Sequence, residues 1–364
     1  MSLWVDKYRP KNLKQLSYHE SITQNLAALA STGDFPHLLV YGPPGSGKKT
    51  RIYCTLHELF GPQVEKLKID VKVFTTSSNR KLEFNVLSSP YHLEITPSDM
   101  GNNDRVVIQD LLKDVASTEQ VDFSNQSKSA SKHRFKVVII NEADSLSRDA
   151  QAALRRTMEK YSANIRIIMI CNTTSNIISP IKSRTLLVRI PAPSDQEISN
   201  ILLCIADKES VKFNPHNETK KQEFFNKVSK SSERNLRKAL LCFETILMQG
   251  ELIAINNTDL AVIALDWEVI IQNLAKSIVS NRTVANLAKV RVVFYELLSH
   301  CIPPRIILKK LLFNLIEVSN SNAAITQSLV EIGAVFDERL SLGQKSIFHL
   351  EGFVAKSMVA LEKQ

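Results

Sequence analysis

The run Gly42-Pro43-Pro44-Gly45-Ser46-Gly47-Lys48 holds three glycines and a lysine in seven positions. Glycines let a backbone curl until successive N–H groups point at one centre, and the lysine adds a cation. A loop of this kind cradles phosphate, most effectively where it opens a helix whose positive end adds to the field. The spacing is that of a P-loop, with Lys48 reaching the outer phosphates. The plain alternative is a Gly-Pro turn that only joins a strand to a helix. Motif and context agree, and favour the phosphate site.

The next positions bear on hydrolysis. A working P-loop has Ser or Thr after the lysine, and its hydroxyl ligates Mg²⁺. Here that residue is Lys49, which puts a cation where the metal sits. Thr50 follows one position later, turned about 100° further around a helix, and does not easily replace the ligand. A second chemical run is Ile139-Ile140-Asn141-Glu142-Ala143-Asp144. An apolar strand ending in Asp-Glu holds Mg²⁺ with the Asp and polarises the attacking water with the Glu. This chain has Asn141 in the Asp position, a poorer ligand for a hard cation, while Glu142 remains. Two metal-holding positions differ on segments far apart in sequence, so the expectation is a nucleotide site that turns over poorly or not at all.

Elements must position these residues. His37–Tyr41 is a short apolar run before the glycines, and Lys48–Phe60 reads as a helix with Ile52, Leu56, Leu59 and Phe60 on one face. Further apolar strands are expected at 136–140, 165–170 and 186–190. Such strands alternating with helices predict a parallel sheet covered on both faces. The polar run 125–132 reads as a surface loop. After Pro191-Ala192-Pro193 the pattern becomes helical, with Ser194 as a cap and Glu197 at the capping-box position. Asn214–Lys221 reads as a connecting loop. A last helical block starts near Asp266-Trp267, broken at Pro303-Pro304 and at Ser341-Leu342-Gly343.

Composition narrows the class without deciding it. Over 364 residues, 46 Lys and Arg stand against 37 Asp and Glu, for a net charge of +9. That excess suits contact with a polyanion but does not require one. No apolar stretch reaches the ~20 residues of a membrane span. The segment Met1–Pro10 lacks an apolar signal core, so the expectation is an intracellular protein. Cys54, Cys171, Cys204, Cys242 and Cys301 form no C-x-x-C pair, so no zinc site is expected; most sit in apolar runs and read as reduced, buried thiols.

These motifs resemble the AAA+ clamp loaders, specifically the small subunits of replication factor C, over essentially the whole chain. The resemblance rests on Trp4-Val5-Asp6-Lys7-Tyr8-Arg9-Pro10, the P-loop, Asn141-Glu142-Ala143-Asp144, Ala150–Glu159, Cys171-Asn172 and Pro180-Ile181-Lys182-Ser183-Arg184. Lys-Lys-Thr in the P-loop and Asn-Glu at the strand end are similar to the subunit that closes one end of the family's spiral and lacks a competent ATPase site. Phe336–Gly343 and Phe348–Phe353 fit the same subunit. The implied architecture is an α/β P-loop (AAA+) domain with a parallel sheet over 1–191, a small helical lid domain over 192–260, and a C-terminal all-α collar domain over 261–364.

The resemblance also implies roles. Arg184 would act in trans on a neighbour's ATP, with Thr185 standing where the family usually has Cys; the bland alternative is a surface arginine. Asn172 and Arg237 would be sensors of the phosphates, against a strand-end turn and an exposed helix charge. Val5, Tyr8, Arg9, Pro10 and Ser17 would lie on the adenine and ribose side, against a segment anchored by aromatic packing. Gly42, Pro43, Pro44, Gly45, Ser46, Gly47, Lys48, Lys49, Thr50, Asn141 and Glu142 complete the nucleotide set. Gly101, Asn102, Asn103 and Arg105, before a helix, are candidates for DNA phosphate contacts, weighed equally against a helix start capped by Asp99. The cofactor implied is ATP or ADP, with Mg²⁺ left open; no residue is assigned to another metal. The partners implied are the other replication factor C subunits, the sliding clamp and primer-template DNA, without a membrane. The implied location is the nucleus, in replication and repair, within a hetero-pentamer. Two other readings stand beside this one: a catalytically active stand-alone P-loop ATPase, against which Lys49 and Asn141 count, and a scaffold without nucleotide, against which the glycines and Lys48 count.

Overall fold

The structure is a computed structural model that describes residues 2–75, 81–117, 135–162, 164–209, 211, 218–248, 265–319 and 323–362. The expected loop at 125–132 lies outside them, as do residues 214–217 of the expected connection at 214–221, while 218–221 open a helix (Glu218–Ser231) rather than continuing the loop. Backbone contacts divide the chain into two compact units, Met1–Val262 and Ile263–Gln364.

The first unit is built on one seven-stranded sheet in the order β2-β3-β4-β5-β6-β1-β7. The strands are β1 (Leu38–Tyr41), β2 (Lys68–Thr75), β3 (Lys81–Ser88), β4 (His92–Ile95), β5 (Lys136–Ile140), β6 (Ile165–Cys171) and β7 (Leu186–Arg189). From β4 to β7 every neighbouring pair is parallel, with Glu94 beside Ile139, Ile139 beside Ile168 and Val40 beside both Ile170 and Val188. β2 and β3 form an antiparallel ribbon joined to β4. The expected parallel sheet is therefore the larger part of a mixed one. β4 and the ribbon escape a search for apolar runs because charged residues interrupt them.

Alternation sorts the strand residues between two layers. Leu38 and Val40 pack with Ile52, Leu56 and Leu59 of helix α3 (Lys48–Phe60), beneath α2 (Glu20–Ser31). Leu39, Val138 and Met169 face the other way, onto α4 (Asp104–Ser117) and α5 (Arg148–Lys160). The four C-terminal residues of β5 are wholly buried, so its end is held firmly between the layers. β7 departs from the expectation of burial on both faces. It is an edge strand, with Leu186 and Leu187 exposed.

A short helix α1 (Trp4–Lys7) and three longer ones, α7 (Asp195–Lys208), α8 (Glu218–Ser231) and α9 (Leu236–Met248), complete this unit with the short α6 (Ser179–Lys182). α7 opens on the expected capping box: the Ser194 hydroxyl accepts from the Glu197 amide at 3.2 Å, and the Glu197 carboxylate accepts from the Ser194 amide at 2.7 Å. Phe225 and Phe243 meet edge to face at 5.3 Å and close the α8–α9 core. α1 packs on α9, where Trp4 meets Phe243 at 5.6 Å.

The second unit is helical: α10 (Asp266–Ser280), α11 (Val284–Ser299), α12 (Pro304–Val318), α13 (Ala323–Leu342) and α14 (Ser346–Glu362). Ile271, Phe294, Leu311, Leu329 and Phe353 lie fully buried in its core. Breaks fall at the expected Pro303-Pro304 and Gly343, and also after α10 at residues 281–283 and after α12, where the sequence reading expected a continuous helical block. None of the five cysteines is in a disulfide, and only Cys54 and Cys171 are buried. Cys242 is half-buried and Cys204 exposed, because an apolar run along a helix still turns part of itself to water, while Cys301 is exposed in the turn after α11.

Candidate nucleotide-binding site

The phosphate loop spans the gap between β1 and α3, where the sequence placed it. Gly42, Gly45 and Gly47 all take positive φ, at 155°, 74° and 82°. Crowding reinforces the need for glycine. A Cβ on Gly42 would lie 1.9 Å from the Ile190 carbonyl, and one on Gly47 would lie 2.1 Å from the Tyr18 hydroxyl. Gly45 meets the Asn235 side chain at the start of α9 in the same way. The loop is thus closed in by the β7 end, the segment before α2 and α9.

Lys48 is folded onto its own loop. Its ammonium donates to the Gly42 and Pro43 carbonyls at 2.6 and 2.9 Å and to the Asn172 side-chain oxygen at 3.0 Å. Burial pulls its pKa below the ordinary lysine value. Asn172 follows β6, where Asp144 accepts from its amide at 3.1 Å. The structure therefore joins the expected sensor to the loop lysine. The buried Ser46 hydroxyl has no hydrogen-bond partner among the described residues. An unpartnered hydroxyl in a glycine cradle at a helix start suits a phosphate oxygen.

Beside the loop lies a cavity of about 500 Å³, within the usual range for small-ligand pockets. Val5, Tyr8, Arg9, Pro10 and Ser17 line one side, Gly45, Gly47 and Thr50 the floor, and Arg237 with Leu240 the α9 side. Pro43 and Pro44 are exposed on the loop. The N-terminal segment is held against α7, since Glu209 accepts from Lys7 at 2.5 Å and also from the Tyr8 hydroxyl. Arg9 donates to the Thr50 hydroxyl at 3.3 Å. An apolar cleft lined by Tyr8, Arg9 and Arg237, opening onto an N–H-rich loop, fits a base, a ribose and phosphates.

Lys49, in the first turn of α3, and Asn141, beyond β5, meet on a residue that the sequence did not single out. The Lys49 ammonium pairs with Glu94 at the end of β4. Asn141 donates to the same carboxylate oxygen at 2.6 Å, and the Tyr53 hydroxyl donates to the other. Burial pushes the Glu94 carboxyl up, but these three hydrogen bonds with the Lys49 charge outweigh it and hold it below its usual range. Burial and donation to Glu94 push the Tyr53 hydroxyl well up. Glu142 stands at φ 50° beyond β5, exposed, with its carboxylate accepting from Ser98 at 3.1 Å.

Other sequence candidates lie elsewhere. Arg184 follows α6 and pairs with Glu159 at 2.8 Å, and donates to the Pro180 carbonyl at 2.9 Å. None of these partners lines the cavity. Gly101, Asn103 and Arg105 sit where a 3₁₀ run over Pro97–Asn103 turns into α4, with Gly101 and Arg105 exposed. The side chain of Asn102 lies outside the described residues. The buried carboxylate at this helix start is Asp104, which accepts from the Ser147 amide at 2.7 Å and so braces α5.

Sequence reasoning passed over Tyr18, Arg51, Glu94 and Asn235. Arg51 is fully buried and donates to the Tyr18 carbonyl at 2.5 Å, and Tyr18 in turn donates to the Ser46 carbonyl at 3.2 Å. The available signal was a charge within an apolar stretch, as in His92-Leu93-Glu94-Ile95, since a buried charge must find a partner.

A parallel sheet core with a phosphate loop after β1, a polar strand end on β5 and a helical lid beside the loop defines a P-loop nucleotide-binding protein of the AAA+ class. Solved structures agree at the level of fold: a RuvB variant of Thermotoga maritima matches with a TM-score of 0.50 at 16% identity, over 75% of this chain and 79% of that one. Three family profiles match: "DNA polymerase III, delta subunit" over residues 18–194, "RCF1/5-like, AAA+ ATPase lid domain" over 200–248, and "Replication factor C subunit 3, C-terminal domain" over 267–364. Replication factor C subunit 5 of Saccharomyces cerevisiae is 55% identical over the full length of both chains. Its Schizosaccharomyces pombe counterpart is 48% identical, over 98% of this chain and 96% of the relative. Human replication factor C subunit 3 is 46% identical, over 100% and 97%. The chain belongs to the replication factor C subunit family.

Proposed function

We propose that this chain is a nucleotide-binding subunit of a pentameric sliding-clamp loader, with little or no hydrolysis of its own, that supplies Arg184 to a neighbouring subunit's ATP. Residues 1–191 would carry the nucleotide, 192–260 would act as its lid, and 261–364 would be the oligomerising collar. The complex would contain the other replication factor C subunits, engage the sliding clamp and primer-template DNA, and work in the nucleus in replication and repair. Gly101, Asn102, Asn103 and Arg105 remain its candidate DNA contacts.

The single observation that carries this reading is the division of the site. The phosphate-holding half is complete, while the metal-holding half is occupied by the Lys49–Glu94–Asn141 cluster. ATP or ADP would supply a charged phosphate chain. This chain's own residues hold it: the 42–47 amides and Lys48 at the phosphates, Arg237 and Arg9 alongside, and Val5, Tyr8 and Pro10 against the base. Glu142 lacks the partner that would position water beside a bound metal, so turnover is slow. Arg184 is free of such a role in its own site. Its pairing with Glu159 is a half-exposed surface ion pair, worth about 0–1 kcal/mol, and would be released readily to a neighbour's phosphate.

The test is a comparison of nucleotide retention and ATPase rate for the isolated chain. Retention of ADP or ATP with a negligible rate is expected. Appreciable turnover by the chain alone would favour the stand-alone ATPase, and failure to retain either nucleotide would favour a scaffold.

A further inference from the structure

The family's P-loops work with Mg²⁺, and the residues present here do not fit that ion. Two positions would supply its ligands, the one after the loop lysine and the end of β5: Lys49 there has no oxygen to offer, and Asn141 donates its amide nitrogen to Glu94 and has only a neutral amide oxygen in place of a carboxylate. A hard dication needs oxygen atoms with free lone pairs. The carboxylate at hand, Glu94, is 3% exposed and already engaged on both oxygens, by Lys49 and Asn141 on one and Tyr53 on the other. Thr50, the nearest hydroxyl in sequence, accepts from Arg9 instead.

From this we infer that the site takes its nucleoside di- or triphosphate in the uncomplexed form, without Mg²⁺, the Lys49–Glu94–Asn141 cluster filling the ion's place. The inference rests on the nucleotide-binding reading above and sharpens its ligand. The cluster pairs one ammonium with one carboxylate and so brings no net charge to the phosphates. The negative charge of an uncomplexed nucleotide is met by Lys48, the α3 N-terminus, Arg9 and Arg237. Tyr53 and Asn141 hold Glu94 in place, which keeps Lys49 turned from the cavity. The arrangement explains how a chain can keep an intact glycine cradle while both metal positions are altered.

The test uses the full-length chain and a fluorescent ADP or ATP analogue, titrated in excess EDTA and again in excess MgCl₂. The expected affinity in EDTA equals or exceeds that in MgCl₂, and a weakening in EDTA of about tenfold or more overturns the inference. The double variant Lys49→Thr with Asn141→Asp restores oxygen ligands and frees Glu94, so it is expected to bind about tenfold or more tightly with Mg²⁺ than without. Indifference of that folded variant to Mg²⁺ would contradict the role given to the cluster. Binding in neither buffer by the unaltered chain would remove the nucleotide reading itself, and this inference with it; that outcome is distinct from binding that requires Mg²⁺.

Discussion

At the scale of single residues, the site is a set of close approaches. Gly47 caps α3 at φ 82° and ψ 20° with the buried Tyr18 hydroxyl over it. Gly47→Ala must strain the backbone or displace Tyr18, which would loosen the Ser46 carbonyl and the loop. The expected cost is about 1–3 kcal/mol of stability, read as a lowered thermal midpoint, together with weakened nucleotide binding. An unchanged midpoint and affinity would mean that the loop tolerates a Cβ there. Most of this site was legible in the sequence, because glycines and a lysine at fixed spacing imply phosphate, and Lys49 and Asn141 stand out against that pattern. Glu94 was not legible. Its partners come from α3 and the end of β5, 45 and 47 positions away: the parallel pairing of β4 with β5 brings in Asn141, and the first turn of α3 brings in Lys49.

At the scale of elements, continuous apolar runs identified the strands that matter for the site. β1, β5 and β6 are buried on both faces, so their sequences are nearly uniform. β2, β3 and β4 were missed for the opposite reason. β2 carries lysine and aspartate on one side and exposes Ile69, Val71 and Val73 on the other, which defeats the rule that apolar means inside. The start of α7 was read correctly from its capping box, whereas the side-chain caps Ser147 of α5 and Thr283 of α11 were not read. Ser194→Ala removes one half of the α7 capping box and is expected to cost about 1 kcal/mol, seen in chemical denaturation of the full chain. Because α7 lines the cavity through Ile201 and Ile205, some loss of nucleotide affinity is expected with it. A change well below 0.5 kcal/mol would show that the box is redundant with packing at Ile198 and Leu202. α1 is a four-residue helix, too short for periodicity to reveal, and its place is fixed by Trp4 on Phe243 and Tyr8 on Glu209.

At the scale of the whole molecule, the chain carries a glycine-rich loop before α3, a buried Glu94 held by Lys49, Asn141 and Tyr53, and Arg184 paired with Glu159 away from the cavity. The net charge of +9 is the sum of such local arrangements and predicts little alone. Lys48 and Lys49, adjacent in sequence, have unlike partners: one donates to the glycine-rich loop, the other to the buried Glu94 carboxylate of β4. The central claim is that this chain's catalytic contribution is made to a neighbour. The most direct measurement is the ATPase rate of the reconstituted complex carrying Arg184→Ala in this chain alone, with nucleotide occupancy of this chain recorded alongside. The account predicts a loss on the order of 10³-fold at the neighbouring site with this chain's own nucleotide still bound, and an unchanged ATPase rate in the complex would contradict it.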